Sequence, residues 1–240
     1  MSSDGRDTGN RGQVRISPKS VPVPDFREGM LFVVSGPSGA GKTTLSAAAL
    51  RVFPGLTLSV SCTTRPPRAG ETSGVEYTFV GAAEFDAMVG RGELAEWAEV
   101  HGYCYGTPRA PIERAVAGGR DMLLDIDVQG AAQLRRLYPR AVAVFLLPPD
   151  RATLEARLRG RGTDSEATVA RRLDSACREI ARAAEYDHLI VNGNREEAAA
   201  EFEAIVRDAH RFGKEAMPRR RAGMDDGALA SFLRSFEGRA

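Results

Sequence analysis

The sequence GPSGAGKTTL, residues 36–45, directly follows the apolar run MLFVVS. It matches the pattern G-x-x-x-x-G-K-[ST], with its fixed glycines at 36 and 41, lysine at 42 and threonine at 43. Between a buried strand and a helix, such a turn directs backbone N–H groups at the phosphates of a nucleotide. We therefore predict that the turn holds a nucleoside triphosphate, with the Lys42 ammonium at the outer phosphates and the Thr43 hydroxyl on Mg²⁺.

The use of lysine supports this interpretation. The chain has thirty arginines but only three lysines, and Lys19 and Lys214 lie in segments that we assign to the tails. Lys42 is thus the single lysine of the predicted core, and a compact ammonium suits a phosphate contact in a tight turn. In the alternative interpretation, the glycines only shape a connection between a strand and a helix.

Length and composition limit the class of protein. A chain of 240 residues with net charge +1 fits one α/β domain, and its charge indicates no nucleic-acid partner. No apolar run approaches about 18 residues, so we predict no membrane span. Three cysteines without a C-x-x-C motif predict neither a disulfide framework nor a zinc site. We expect a soluble, cytoplasmic protein, as a monomer or small homo-oligomer.

The order of the predicted elements indicates a parallel sheet with helices on both faces. Residues 1–28 are rich in Ser, Gly, Asp, Arg and Pro and predict a disordered leader; residues 29–212 form the domain. Predicted strands are 30–35, 57–62, 121–126, 141–147 and 187–191. Predicted helices are 42–53, 128–137, 150–159, 164–185 and 195–212. Residues 63–110 interrupt this alternation, which predicts an inserted lobe.

Residues 213–240 form a C-terminal extension. It contains the run PRRR, which we expect to be solvated, and then a short predicted helix. Leu229, Phe232, Leu233 and Phe236 share one face of that helix. This face can dock on the body of the protein or on a partner.

A second set of polar residues follows the strand predicted at 57–62. In SVSCTTRPPRAGE, Arg65 and Arg68 lie three residues apart beside the Ser61 hydroxyl. Two guanidinium groups that converge on one region can bind a second phosphate. An ordinary pair of surface arginines is the alternative.

Several blocks of the chain together resemble the guanylate kinase family. In order, they are SVSCTTRPPRAGE, GVEYTFV, ELAEWAEV, YGTPRAP, LLDIDVQGA, LPPD, LRGRGTDSE, ARRL and YDHLIVN. The resemblance runs from about Leu31 to Phe212. It implies a P-loop NTPase-type α/β sheet with an inserted mixed α/β nucleoside-monophosphate lobe at about 60–110 and a helical lid at about 150–175. It also implies ATP-dependent transfer of a phosphoryl group to GMP, and to dGMP, with Mg²⁺.

The resemblance assigns roles to individual positions. For ATP these are Gly36, Pro37, Ser38, Gly39, Ala40, Gly41, Lys42, Thr43, Thr44 and, near the adenine, Asn192. For GMP they are Ser61, Arg65, Arg68, Tyr77 and Tyr105 at the phosphate, with Glu96, Thr107 and Asp127 at the guanine and Asp125 close by. The catalytic set is Lys42, Arg65, Arg157, Arg161 and Arg172, and Thr43 is the metal ligand.

The chemistry of guanine fits Glu96. Guanine presents N1–H and N2–H₂ donors on one edge, so one carboxylate can accept from both, whereas adenine presents a lone pair there. A site built to accept such hydrogen bonds discriminates against the wrong base by a factor of roughly 10⁴–10⁵. By residue type alone, Glu96 could instead be a solvated charge beside Trp97, and the two tyrosines could be packing residues.

The chain departs from the family pattern at two places. Tyr103-Cys104-Tyr105-Gly106 stands where the family usually has Asn-Tyr-Tyr-Gly, and VNGN replaces VND, so that Gly193 removes an acidic group. Two alternative functions remain, a guanylate-kinase-like protein-binding module that has lost catalysis and a P-loop kinase for another nucleotide. The loop lysine and the lid arginines disfavour the first, and Glu96 with Asp127 disfavours the second.

Overall fold

The computed structural model describes residues 28–100, 102–160 and 165–237. The leader predicted at 1–28 therefore lies outside the described residues except for Glu28, and so does Arg161 of the predicted catalytic set. Within these ranges no helix is long and apolar enough to cross a membrane.

A five-stranded parallel sheet forms the centre of the molecule. Its strands are β1 (Leu31–Ser35), β2 (Leu56–Leu58), β7 (Asp121–Asp125), β8 (Val142–Leu147) and β9 (His188–Val191), in the order β2-β7-β1-β8-β9. Every residue of β1 and β8 is buried. Continuous apolar runs of this kind are typical of central parallel strands that are covered on both faces.

Helices cover both faces of the sheet. They are α1 (Lys42–Val52), α3 (Arg109–Ala117), α4 (Val128–Leu137), α5 (Arg151–Arg159), α6 (Glu166–Ile180), α7 (Arg195–Phe212) and α8 (Asp226–Arg234), whereas α2 (Ala82–Gly90) belongs to the lobe. Because successive strand residues point to opposite faces, Val33 packs in one core cluster with α3–α6, and Phe32 in the other with α1 and α7. The predicted α/β class is confirmed.

The strand predicted at 57–62 is wrong as a single element. Leu56–Leu58 pairs with β7 in the central sheet, whereas Cys62–Thr63 forms β3 in a second sheet. That sheet also contains β4 (Thr78–Phe79), β5 (Leu94–Val100) and β6 (Tyr103–Pro108), in the order β4-β3-β6-β5. It is mixed, and α2 packs on it through Phe85. Residues 59–61 carry the chain from one sheet to the other, which an apolar pattern alone does not reveal.

The helix predicted at 164–185 ends early. Its α-helical part stops at Ile180, and a short 3₁₀ helix, Ala183–Glu185, follows. The next residue, Tyr186, is buried and packs edge-on against Phe145 of β8. The chain therefore turns back into the sheet before the predicted end of the helix.

The C-terminal extension docks on the body of the protein. Leu229 and Phe236 are buried in the same core cluster as α5 and α6, and the Arg151 guanidinium donates to the Phe236 carbonyl at 2.6 Å. The expectation of a solvated PRRR run is wrong for Arg220, which is half-buried. Its carbonyl accepts from Leu189 N–H and its guanidinium donates to Asp208, because the extension covers the open edge of β9.

Candidate active site

A cleft lies between the ends of the central strands and the lobe sheet. Most of the predicted site residues line it: Gly36, Ser38, Gly39, Gly41, Lys42, Thr43, Thr44, Ser61, Arg68, Tyr77, Glu96, Tyr105, Asp125, Asp127, Arg157, Arg172 and Asn192. Pro37, Ala40, Arg65 and Thr107 are buried and are not part of its lining. Ligands of open α/β sheets bind at this end of the strands.

The phosphate loop has the backbone that its sequence predicts. Gly36, Gly39 and Gly41 all have positive φ, between 90° and 143°, where other residues are strained. A Cβ atom on Gly36 would also lie 2.4 Å from the Leu146 carbonyl oxygen. The glycines therefore let the turn pass close to β8.

The first turn of α1 is open to an anion. Gly41, the residue before the helix, provides no side-chain cap, and the first turn holds no acidic residue. Lys42 Nζ donates to the carbonyls of Gly36, at 2.7 Å, and Pro37, at 3.3 Å, so its charge lies over the turn. Unpaired helical N–H groups beside an ammonium form a site for phosphate oxygens.

Two side-chain oxygens meet beside the loop. The Thr43 hydroxyl, in the first turn of α1, donates to Asp125 Oδ2 at 3.1 Å, at the end of β7. Burial raises the pKa of Asp125, while the charge of Lys42 and the Thr43 hydrogen bond act in the opposite direction. A cation between this carboxylate and a nucleotide phosphate would relieve the cost of the buried charge.

Across the cleft, Glu96 is a buried carboxylate on β5, with only 4% of its surface exposed. The Thr107 hydroxyl donates to Glu96 Oε1 at 2.5 Å, and Ser61 Oγ lies 3.1 Å from Thr107 Oγ1. Because Thr107 has one hydroxyl hydrogen, Ser61 must donate to Thr107 in this arrangement. Burial raises the pKa of Glu96 to about 7, and the nearby Asp127 charge adds to the effect.

Asp127 has a structural contact in addition to its place in the cleft. It is the residue before α4, and its Oδ1 accepts from the backbone N–H groups of Gln129 and Gly130 at 2.6 and 3.1 Å. This is an N-cap, which stabilises the start of a helix.

The two arginines of the predicted phosphate pair lie in different surroundings. Arg65 is 93% buried and makes a two-pronged ion pair with Glu71, at 2.9 and 3.0 Å, while Arg68 lines the cleft. Glu71 Oε2 also accepts from the Arg68 N–H at 2.7 Å. Arg65 thus holds the turn that carries Arg68, a partnership that the spacing of the arginines does not predict.

Tyr77 and Tyr105 pack against each other at the lobe side of the cleft. Their ring centroids are 5.8 Å apart, edge to face, and the Arg65 guanidinium lies 5.5 Å from the Tyr77 ring centroid. Contacts of this kind fix the orientation of both rings.

Asn192 connects the phosphate loop to α5. Asn192 Nδ2 donates to the Ala40 carbonyl at 2.7 Å, and the Asn192 carbonyl accepts from Arg157 Nη2 at 2.9 Å. Arg157 Nη1 is buried without a hydrogen-bond partner in the described residues. A buried guanidinium nitrogen of this kind needs an acceptor, which a bound phosphate would provide.

Comparison with known proteins identifies the family. The guanylate kinase family model matches residues 28–209. The chain belongs to the guanylate kinase family. It is 54% identical to a guanylate kinase from Syntrophotalea carbinolica over 180 residues, 75% of this chain and 86% of that protein. A guanylate kinase from Bradyrhizobium diazoefficiens is 46% identical over 213 residues, 88% of this chain and 93% of that protein.

A solved structure agrees. The guanylate kinase from Anaplasma phagocytophilum is 35% identical and superposes with a TM-score of 0.64, over 75% of this chain and 86% of that one. The family resemblance read from the sequence is therefore confirmed.

The cleft of this guanylate kinase family member also contains residues that the sequence analysis did not predict. They are Val100, Ile126, Glu179 and Arg195. Glu179 lies on α6 and accepts from the Ser175 hydroxyl at 3.2 Å. Burial raises its pKa, and Lys42 acts in the opposite direction. The available signal was a carboxylate beside the buried stripe of α6 that contains Ala176 and Ile180.

Proposed function

We propose that this cleft transfers the terminal phosphoryl group of ATP directly to the phosphate of GMP, in purine nucleotide metabolism. ATP-dependent phosphorylation of GMP is the activity of the family to which the chain belongs. One observation supports the assignment of an ATP side and a GMP side. An open anion site with its lysine and a buried carboxylate face the same cleft from opposite directions.

The donor side is the phosphate loop. Its backbone N–H groups and the Lys42 ammonium bind the phosphates of ATP, and Asn192 supports the loop through Ala40. The Thr43 hydroxyl and the Asp125 carboxylate fit Mg²⁺, which prefers oxygen ligands. Among the described residues no group of three or more His, Cys, Asp or Glu side chains could hold a metal by itself. Mg²⁺ would therefore come with the phosphates, whose charge it neutralises when bound.

The acceptor side is the lobe. Glu96 Oε1 and Oε2 accept from the N1–H and N2–H₂ groups of guanine, with Asp127 and Thr107 beside them. Ser61, Arg68, Tyr77 and Tyr105 surround the GMP phosphate, and Arg65 fixes this set through Glu71 and its contact with Tyr77. We include dGMP among the acceptors.

The transfer itself needs positioning and charge neutralisation more than covalent chemistry. The phosphate of GMP is already an anionic nucleophile, so no side chain has to act as a strong general base. Lys42 and the arginines at 157, 161 and 172 supply positive charge near the equatorial oxygens, and the unpaired Arg157 Nη1 supports this for one of them. Arg65, which is paired with Glu71, acts through the residues that it holds in place. Closure of the lid excludes water, and with it the hydrolysis of ATP. A cytoplasmic location is part of the proposal.

A panel of acceptors tests the proposed function. With ATP and Mg²⁺, ADP formation in a coupled assay should be rapid with GMP and dGMP and small with AMP, CMP and UMP, because only guanine offers two adjacent donors to Glu96. Equal rates with AMP would contradict the guanine site. Binding of nucleotides without turnover would instead support the protein-binding module.

The use of GMP should depend on pH through Glu96. Guanine donates to the ionised carboxylate, whose pKa in the free protein is raised to about 7. As the pH falls below about 7, protonation of Glu96 competes with GMP, so kcat/KM for GMP should fall.

The second ionisation of the GMP phosphate, at a pKa of about 6, contributes to the same profile. Glu96→Gln separates the two contributions, since it removes the carboxyl titration and keeps that of the phosphate. Profiles of identical shape for both proteins would refute the role of Glu96 in the pH dependence.

A further inference from the structure

Gly130 is a glycine that its own backbone does not require. It is buried in the first turn of α4, and it is absent from the positive-φ glycines of the described residues. At an ordinary helical position glycine is less favourable than alanine. The reason for glycine at 130 must therefore be the space that a side chain would occupy.

Glu96 occupies the space beside Gly130. A Cβ atom on Gly130 would lie 2.1 Å from Glu96 Oε2, 2.8 Å from its Cδ and 3.5 Å from its Cγ, which are the three nearest atoms outside the chain neighbours of Gly130 and the α4 backbone. The Glu96 carboxylate therefore rests directly on the α4 backbone at Gly130. The other oxygen, Oε1, accepts from Thr107 at 2.5 Å, so the carboxylate is confined on both sides.

The backbone around this contact is fixed. The Gly130 N–H donates to Asp127 Oδ1 at 3.1 Å. One turn later, Gln133 donates to the Trp97 carbonyl at 2.6 Å and accepts from the Trp97 N–H at 3.3 Å. Helix α4 is thus fastened to β5 at the residue next to Glu96. A side chain at 130 would move the end of the Glu96 side chain rather than the helix.

We infer that Gly130 is a positioning residue for guanine recognition, since the absence of its side chain sets where the Glu96 carboxylate lies. The inference rests on the proposed role of Glu96 and adds a second residue to the guanine site. Other glycines of the cleft differ. Gly36 and Gly41 have positive φ and shape the phosphate loop, and their missing side chains face a backbone carbonyl and Asn192.

Gly130→Ala tests the inference. We expect KM for GMP to rise roughly tenfold to a hundredfold, the size of effect that a misplaced binding group produces, with KM for ATP unchanged. The control is Gly90→Ala at the end of α2, where the added methyl group would meet no atom within 4 Å. It should leave both KM values unchanged.

A double mutant separates positioning from folding. In the Glu96→Ala background all three contact atoms are gone, so Gly130→Ala should leave kcat/KM for GMP unchanged. It should not lower the unfolding midpoint there, because alanine is the better helix former. If Gly130→Ala alone does not fold, folding of the double mutant would support the contact. Failure of both to fold, or an equal loss of stability in both backgrounds, would overturn it.

The outcomes also separate the inference from the proposed function. If Glu96→Gln raises KM for GMP and Gly130→Ala does not, the positioning role of Gly130 is wrong and the guanine site stands. If neither substitution affects GMP, the guanine role of Glu96 fails and the inference fails with it.

Discussion

Replacing Lys42 with alanine should lower kcat by at least about 10²–10³-fold, the effect typical of removing one preorganised group that stabilises transition-state charge. Both hydrogen bonds of the ammonium go to backbone carbonyls of the loop, so its charge is available to the phosphates of ATP. The loop conformation depends on its glycines, and the fold should therefore survive.

Turnover with saturating ATP and GMP and the thermal unfolding midpoint are the measurements. Lys214→Ala is the matched control, since it removes the same charge from a side chain outside the cleft. Lys214 donates to the Pro139 and Ala141 carbonyls and lies 3.2 Å from Asp187. It should lower stability and keep kcat. Near-normal turnover of the Lys42 variant would show that the loop does not hold the transferring phosphoryl group as proposed.

The parts of the fold that the sequence predicted depend on local pattern. The β8 run is apolar throughout, the β1 run is apolar up to Ser35, and both are bounded by turn signals, while α7 has Phe202, Ile205 and Ala209 on one face. The loop between β1 and α1 follows from its glycines, because their positions require positive φ. Such features do not depend on what the rest of the chain does.

Other features of the fold depend on distant segments. Residues 56–63 alternate apolar and hydroxyl side chains like a single strand, yet the two halves of this segment join different sheets, because β7 and β6 provide the partners. Likewise, Arg220 is half-buried because β9 is an edge strand with free N–H groups that the extension covers. These partner segments are distant in sequence, so the periodicity of a segment gives no information about which partner it pairs with.

The site shows the same division. Asp125, at the end of β7, and Glu96, within β5, could be predicted, and the structure brings them to one cleft. The partners of site residues could not. The Arg65–Glu71 ion pair depends on a turn, and the contact of Glu96 with Gly130 depends on how α4 lies across β5.

Replacing Glu96 with glutamine should lower kcat/KM for GMP by roughly 10²–10⁴-fold, because two hydrogen bonds to a charged acceptor are weakened or lost. The amide also turns an N–H₂ donor towards the donors of guanine. Adenine presents a lone pair at that position, so the preference for GMP over AMP should shrink. Glutamine has nearly the same shape, and its oxygen can still accept from Thr107.

The same substitution should make the protein more stable above neutral pH. The pKa of Glu96 is raised from 4.5 to about 7, so the folded state favours the protonated carboxyl, and this stabilisation is lost as the pH rises through 7. Glutamine avoids the buried charge, so at pH 8 its free energy of unfolding should exceed that of the parent by up to about 3 kcal/mol. The gain should disappear near pH 4.5. Denaturant unfolding at pH 8 and pH 4.5 is the measurement. A variant that is inactive and less stable than the parent at pH 8 would contradict the conclusion that the ionised Glu96 carboxylate is costly to bury at the guanine site.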